Sequence, residues 1–322
     1  ALRAEGLGDS GSAEEAVLKE LGEIIGDSDL HISHLSLRAA MSVLKVCPSC
    51  GPAIKAHVLP PALALSTSPL LQDQALDSLL CLFEQLVLSD STDYNELLVS
   101  LKGRLSSGEK KQTIANLAKC IAVITAATSA ANRDAVVADI IATLESADSD
   151  LQQTQLALLT SGDLGRLVDF SQMEGVVGRL QTIYLSSFDS FEEIKLAAAY
   201  ALGRASAGAM EVFLPAILNA LAESSEKKQY LLLSAVRELI HCHQLDESGD
   251  IGPSVPLILP HLLNHSADKE EGVRTMTAEC LGSLSCLQPS ELLPQLKELA
   301  SKHSGKTLNE EASEDDKEGA KK

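Results

Sequence analysis

The feature that most limits the fold of this chain is a repeat of about 40 residues. Asp27-Ser28-Asp29-Leu30 returns as Asp148-Ser149-Asp150-Leu151, 121 residues later. Ala201-Leu202-Gly203 is echoed by Cys280-Leu281-Gly282 after 79 residues, two periods on. Leu-Pro recurs within apolar stretches at Leu59-Pro60, Leu214-Pro215, Leu259-Pro260 and Leu293-Pro294. Echoes this sparse are expected when only the packing of each unit is kept.

Each unit reads as two amphipathic helices. Val17, Leu18, Leu21, Ile24 and Ile25 lie on one side of a 3.6-residue period. Gly26 to Asp29 then supplies a turn, with Gly to end one helix and Asp to cap the next. The second helix is expected to bury Ile32, Leu35, Ala39, Val43 and Val46 and to stop before Pro48. Repeating this plan places first helices near 13–25, 53–65, 94–106, 132–145, 173–186, 209–223 and 254–265. Their partners fall near 30–46, 70–88, 110–127, 150–161, 191–205, 227–242 and 270–286, and a further helix opens at Ser290. A hairpin of this size buries too little by itself and must stack on its neighbours. Runs such as Ala197-Ala198-Ala199 permit the close approach that stacking needs, and the Leu-Pro pairs should kink the first helices. Armadillo repeats would need a third short helix that most units lack.

The expectation is an all-α fold: a HEAT-repeat, armadillo-like, right-handed α-solenoid of about seven helical pairs plus a terminal helix. It would occupy 13–303, after a flexible leader at 1–12 and before a disordered acidic tail at 304–322, where Glu310, Glu311, Glu314, Asp315, Asp316 and Glu318 accompany almost no apolar mass. Composition agrees. Apolar residues make up 45% of the 322, rich in Leu and Ala, while aromatics reach only 3% and Trp is absent.

A net charge of −19 argues against a nucleic-acid partner, which calls for clustered Lys and Arg. The longest apolar run, Leu79 to Leu88, is too short for a bilayer and contains Glu84 and Gln85. Residues 1–12 do not resemble a signal peptide. Seven cysteines, an odd number, do not suggest a disulfide framework, so an intracellular setting, cytoplasmic and nuclear, is expected. A chain that opens at Ala1 without Met reads as a fragment.

Motifs that could carry chemistry have plainer readings. Gly8-Asp9-Ser10-Gly11-Ser12 mimics a serine-protease nucleophile loop, but no β-barrel pattern surrounds it. Cys47-Pro48-Ser49-Cys50 has C-x-x-C spacing; a zinc site would need two further ligands, for which His57 is a lone candidate, and a helix end plus turn explains it. In His241-Cys242-His243 the two histidines point to different helix faces. Cys81, Cys120, Cys280 and Cys286 are expected to act as small core residues. No phosphate loop and no HExxH is present. The chain is therefore read as non-enzymatic, with no catalytic, cofactor or metal residues and no small-molecule substrate.

What remains is surface. Solenoids bind through an extended concave face lined by second helices. Candidate partner-binding residues there are Arg38, Lys119, Lys195, Arg204, Arg237 and Arg274, with Lys45 nearby. Lys195, Arg237 and Arg274, about one period apart, could align as a basic stripe that steers an acidic partner.

The second half of the chain resembles a known family. The ordered stretches are Glu192-Glu193-Ile194-Lys195, Ala199-Tyr200-Ala201-Leu202-Gly203, Lys228-Gln229-Tyr230-Leu231-Leu232-Leu233, Glu270-Glu271-Gly272-Val273-Arg274, Ala278-Glu279-Cys280-Leu281-Gly282 and Leu292-Leu293-Pro294. Upstream, Ser68-Pro69-Leu70-Leu71-Gln72 and Ala118-Lys119-Cys120 fall at fitting distances. Their order and spacing resemble the middle of the cullin-associated, Nedd-dissociated (CAND) proteins, from about Leu18 to Leu299. The resemblance implies a HEAT superhelix that embraces a cullin–RING core lacking the Nedd modifier and promotes exchange of substrate-receptor modules without catalysis. It also implies about a third of a family member, without the arch that holds the RING end or the repeats that oppose the adaptor. A HEAT adaptor for another partner, such as a phosphatase or transport cargo, is the alternative.

Overall fold

A computed structural model describes residues 10–106, 108–245, 250–298 and 300–301; side chains at 10–12, 226 and 245 are not described. Fifteen α-helices can be bounded among the described residues, followed by a helical stretch at 289–298; turns and short 3₁₀ segments join them, and no described residue is in a strand. The expected tail at 304–322 and most of the expected leader lie outside them; the first helix starts at Ser10.

Contacts divide the chain into two units, Ala1–Ala216 and Ile217–Lys322. The first unit holds hairpins α1 (Ser10–Glu23) with α2 (Leu30–Val46), α3 (Gly51–His57) and α4 (Leu59–Leu65) with α5 (Asp73–Leu88), α6 (Tyr94–Lys102) with α7 (Lys111–Ala127), α8 (Ala130–Glu145) with α9 (Leu151–Leu167), and α10 (Val176–Ser186) with α11 (Glu192–Gly208). The second helices pack in series: α2 on α5, α5 on α7, α7 on α9, α9 on α11. Helix α12 (Met210–Glu223) runs through the division. In the second unit α13 (Glu226–Leu245) packs on α15 (Glu271–Leu287), which is paired with α14 (Val255–His265), and residues 289–298 are helical. Each unit is thus the expected stack of paired helices.

The sequence echo proves to be an echo of roles. Asp29 and Asp150 are both N-caps of second helices, accepting from the amides of Ile32 and Gln153 at 3.0 and 2.7 Å. Such a cap contributes about 1 kcal/mol by satisfying an amide that has no partner within the helix. At Leu59-Pro60 the expected kink is a break, with α3 ending at His57 and α4 beginning at Leu59. Helices α12 and α14, by contrast, continue through Pro215 and Pro260.

The apolar face of the first hairpin differs from expectation. In α2 the buried residues are Ser33, Ser36, Leu37, Ala40 and Leu44, while Ile32, Leu35 and Val46 are exposed. In α1, Leu18 is buried and Val17 is exposed, and Ile24, just past its end, is exposed too. These helices carry apolar side chains over a wide arc, and α5 covers one side of α2. A shift of one residue turns a helix by about 100°, enough to exchange the covered stripe for its neighbour.

Close approach is greatest between α9 and α11. A Cβ on Gly162 would meet Ala201 Cα at 2.5 Å, and one on Gly208 would meet Gly165 O at 1.9 Å. Backbones this near need small residues, which is the use of the Ala- and Gly-rich sequence. Between α5 and α7, buried Asn116 donates to the carbonyls of Ser68 and Leu71 at 3.2 and 3.1 Å, supplying acceptors in the loop before α5 with a partner.

Candidate partner-binding surface

Ion pairs link successive first helices of the first unit. Lys55 on α3 meets Glu96 on α6, Lys102 on α6 meets Asp139 on α8, and Arg179 on α10 meets Glu145 on α8, each at 2.6 Å. Arg179 engages both carboxylate oxygens of Glu145, and that hydrogen bonding holds the Glu145 carboxyl below its ordinary range. All six side chains are roughly half exposed, so each pair adds little stability. Their cations are already neutralised.

The six candidate residues have unlike fates. Arg38 on α2 is exposed, and Lys119 on α7 and Lys195 on α11 are half-buried. None of the three makes an ion pair with a described carboxylate. They lie on three second helices of the first unit and keep their charge available. Exposed Lys45 lies on α2 as well.

Arg204 departs from the expectation of a solvent-facing contact. Its side chain is 9% exposed, and its Nε lies 2.6 Å from Asp163 Oδ1 on α9, itself 4% exposed. Tyr200 donates from its hydroxyl to the same oxygen at 3.0 Å, and the Arg204 guanidinium lies 5.1 Å from the Tyr200 ring centre. The charge is there, but it is folded into the α9–α11 contact, where an unpaired carboxylate would be costly. No partner can reach it without opening that contact.

In the second unit, exposed Arg237 on α13 pairs with Glu279 on α15 at 2.9 Å. Arg274 on α15 donates from Nη1 to the carbonyls of Asp268 and Lys269, both at 2.8 Å. Both arginines of the expected stripe therefore hold local partners.

The cysteines also divide. Cys120 and Cys280 are buried, as expected, but Cys81 and Cys286 are exposed and Cys242, within His241-Cys242-His243, is buried. Burial raises the Cys280 thiol to about 12. The C-x-x-C pair has a third neighbour that spacing could not reveal, Glu14 on α1. Burial, then contact with Cys47 and Glu14, pushes the Cys50 thiol up to about 12. A cavity of about 350 Å³ opens between α6, α8 and α9, lined by the Lys102–Asp139 pair and by Ile140, Gln153, Leu156 and Thr160. Among the described residues no helix is long and apolar enough to cross a membrane.

A family profile for the HEAT repeat matches residues 258–285, most of α14 and α15. Cullin-associated NEDD8-dissociated protein 1 of Arabidopsis thaliana is 38% identical over 295 residues, covering 88% of this chain and 24% of the relative. Its counterpart in Drosophila melanogaster is 35% identical over 311 residues, covering 88% and 24%. Cullin-associated NEDD8-dissociated protein 2 of Mus musculus is 31% identical over 308 residues, covering 92% and 24%. The chain belongs to this cullin-associated family. It spans about a quarter of the length of the curated relatives it matches, less than the third its resemblance implied. The matched region takes in both units, so the second-helix cations and the buried Arg204–Asp163 pair belong to a stack of the cullin-associated kind.

Proposed function

We propose that this chain is part of a non-catalytic scaffold that holds the cullin–RING core of a ubiquitin ligase and promotes exchange of its substrate-receptor modules. The observation that carries the reading is the similarity to cullin-associated proteins over 88–92% of the chain. The second-helix row of the first unit supports it physically. Three cations without an ion pair to any described carboxylate, Arg38, Lys119 and Lys195, stand on a chain of net charge −19 and would attract an acidic patch of a partner. Such groups act on the association rate and on register more than on raw affinity.

The test places the chain in its full-length relative and measures binding to an immobilised cullin–RING complex, with and without conjugated NEDD8. Binding restricted to the unconjugated complex supports the reading. The variant Arg38→Glu/Lys119→Glu/Lys195→Glu should slow association and flatten its salt dependence with helicity intact. Equal binding of both complexes would count against cullin recognition. Unchanged association of the triple variant would move the contact to another face.

A further inference from the structure

We propose that Glu14, Cys47 and Cys50 form a binding site for a thiophilic divalent cation, zinc by preference, which ties α1 to the turn between α2 and α3. The three side chains come from separate elements. Glu14 lies in α1; Cys47 is the C-cap of α2; Cys50 ends the 3₁₀ turn Pro48–Cys50 that leads into α3. Their ligand atoms all lie within 4.8 Å of one another. Both sulfurs converge on one carboxylate oxygen, Glu14 Oε2, at 3.8 Å from Cys47 and 3.5 Å from Cys50.

These separations fit a metal better than chance proximity. Tetrahedral zinc with Zn–S of about 2.3 Å and Zn–O of about 2.0 Å has sulfur–oxygen edges of about 3.5 Å. The two observed sulfur–oxygen edges, 3.8 and 3.5 Å, are close to that length, and the sulfurs lie within 4.8 Å of each other. Two sulfurs and one carboxylate oxygen suit zinc and disfavour magnesium or calcium, which take oxygen donors. A depression of about 290 Å³, lined in part by Glu15, Ser49, Pro52 and Ala53, adjoins the cluster and leaves the fourth vertex open to water.

The balance is that of a proton-for-metal exchange. In the metal-free state both thiols point their S–H groups at Glu14 Oε2. On binding, two S–H bonds break, two metal–sulfur bonds and one metal–oxygen bond form, and two protons pass to solvent. No electron is transferred. The bound ion would cross-link α1 to this turn beside two contacts that already join α1 to α3: the close approach at Gly22, whose Cβ position meets His57 O at 2.1 Å, and His57 Nε2 with Glu15 Oε1 at 3.4 Å.

The probe is cobalt(II), then zinc(II), added to the whole reduced chain under a non-thiol reductant. We expect one cobalt ion per chain, with a sulfur-to-cobalt charge-transfer band and the strong visible bands of tetrahedral cobalt, displaced by zinc. Cys47→Ser/Cys50→Ser should abolish the band with helicity unchanged. Loss of an outer partner typically lowers metal affinity ~10–100-fold, so Glu14→Gln, which removes a direct ligand, should cost at least about tenfold. Glu14→Gln also keeps the test valid if the double serine variant misfolds. Zinc should raise the melting temperature of the wild type, reversed by chelator, and leave Glu14→Gln little changed. Absence of the charge-transfer band in the reduced chain, its persistence in Cys47→Ser/Cys50→Ser through other cysteines, or equal affinity in Glu14→Gln would each overturn the proposal.

Discussion

Replacing Arg204 with Ala should destabilise the first unit by about 3–5 kcal/mol, because it leaves Asp163 as a buried carboxylate facing no cation. The size follows from the geometry. At 2.6 Å between Nε and Oδ1, and with an effective dielectric of ~20, the attraction is about 6 kcal/mol. Desolvating both groups consumes most of that, so the intact pair is worth little, whereas half of it is expensive. The Tyr200 hydroxyl still donates to Asp163 after the change, which keeps the loss from being larger. Tyr200→Phe alone removes one hydrogen bond to a charged group and should cost about 1.5–3 kcal/mol. Asp163→Leu/Arg204→Met, which removes both charges and keeps the volume, should lose less than Arg204→Ala, although the Tyr200 hydroxyl then loses its acceptor. Urea unfolding of the whole chain, followed by circular dichroism, reads these as midpoint shifts at constant slope. A loss below about 1 kcal/mol for Arg204→Ala, or a double variant as unstable as the single one, would refute the buried-pair argument.

Other outcomes follow from the same contacts. Gly208→Ala should destabilise by about 1–3 kcal/mol although Ala is the better helix former, since its Cβ would lie 1.9 Å from Gly165 O; a raised urea midpoint would disprove the close α9–α11 approach. Stability should fall above about pH 9. Burial lifts the Cys280 thiol from 9.0 to about 12 and raises Cys120 and Tyr184 as well, so the unfolded chain loses these protons first. Their contribution is complete below the unfolded values and is lost as pH climbs toward the folded ones, and equal urea midpoints at about pH 8 and about pH 10.5 would contradict this. Arg237→Glu should leave the fold intact and cost no more than about 1 kcal/mol, because its pair with Glu279 is nearly half exposed; a melting transition lost altogether would show the pair to be structural.

The paired helices, their order and most of their bounds were legible in the sequence because each depends on local chemistry. Asp29 and Asp150 cap where a short carboxylate can reach an amide three residues on, and the 3.6-residue period needs only neighbouring turns. Family membership was legible too, since ordered segments survive in one dimension. Which stripe of α2 is covered was not, because Ile32 and Leu37 are equally apolar and only the position of α5 chooses between them. The same holds for charge. Arg38 and Arg204 look alike along the chain, yet one meets water and the other meets Asp163, 41 residues upstream of it, across a helix contact. Glu14 could not be joined to Cys47 and Cys50 for that reason: 33 and 36 residues separate them, and only the packing of α1 on α3 closes the gap. The sequence by itself determined the helices, their pairing and the kinship, which rest on near-neighbour forces; tertiary structure alone decided which side chains are exposed, paired or clustered, because those depend on distances between residues far apart in the chain.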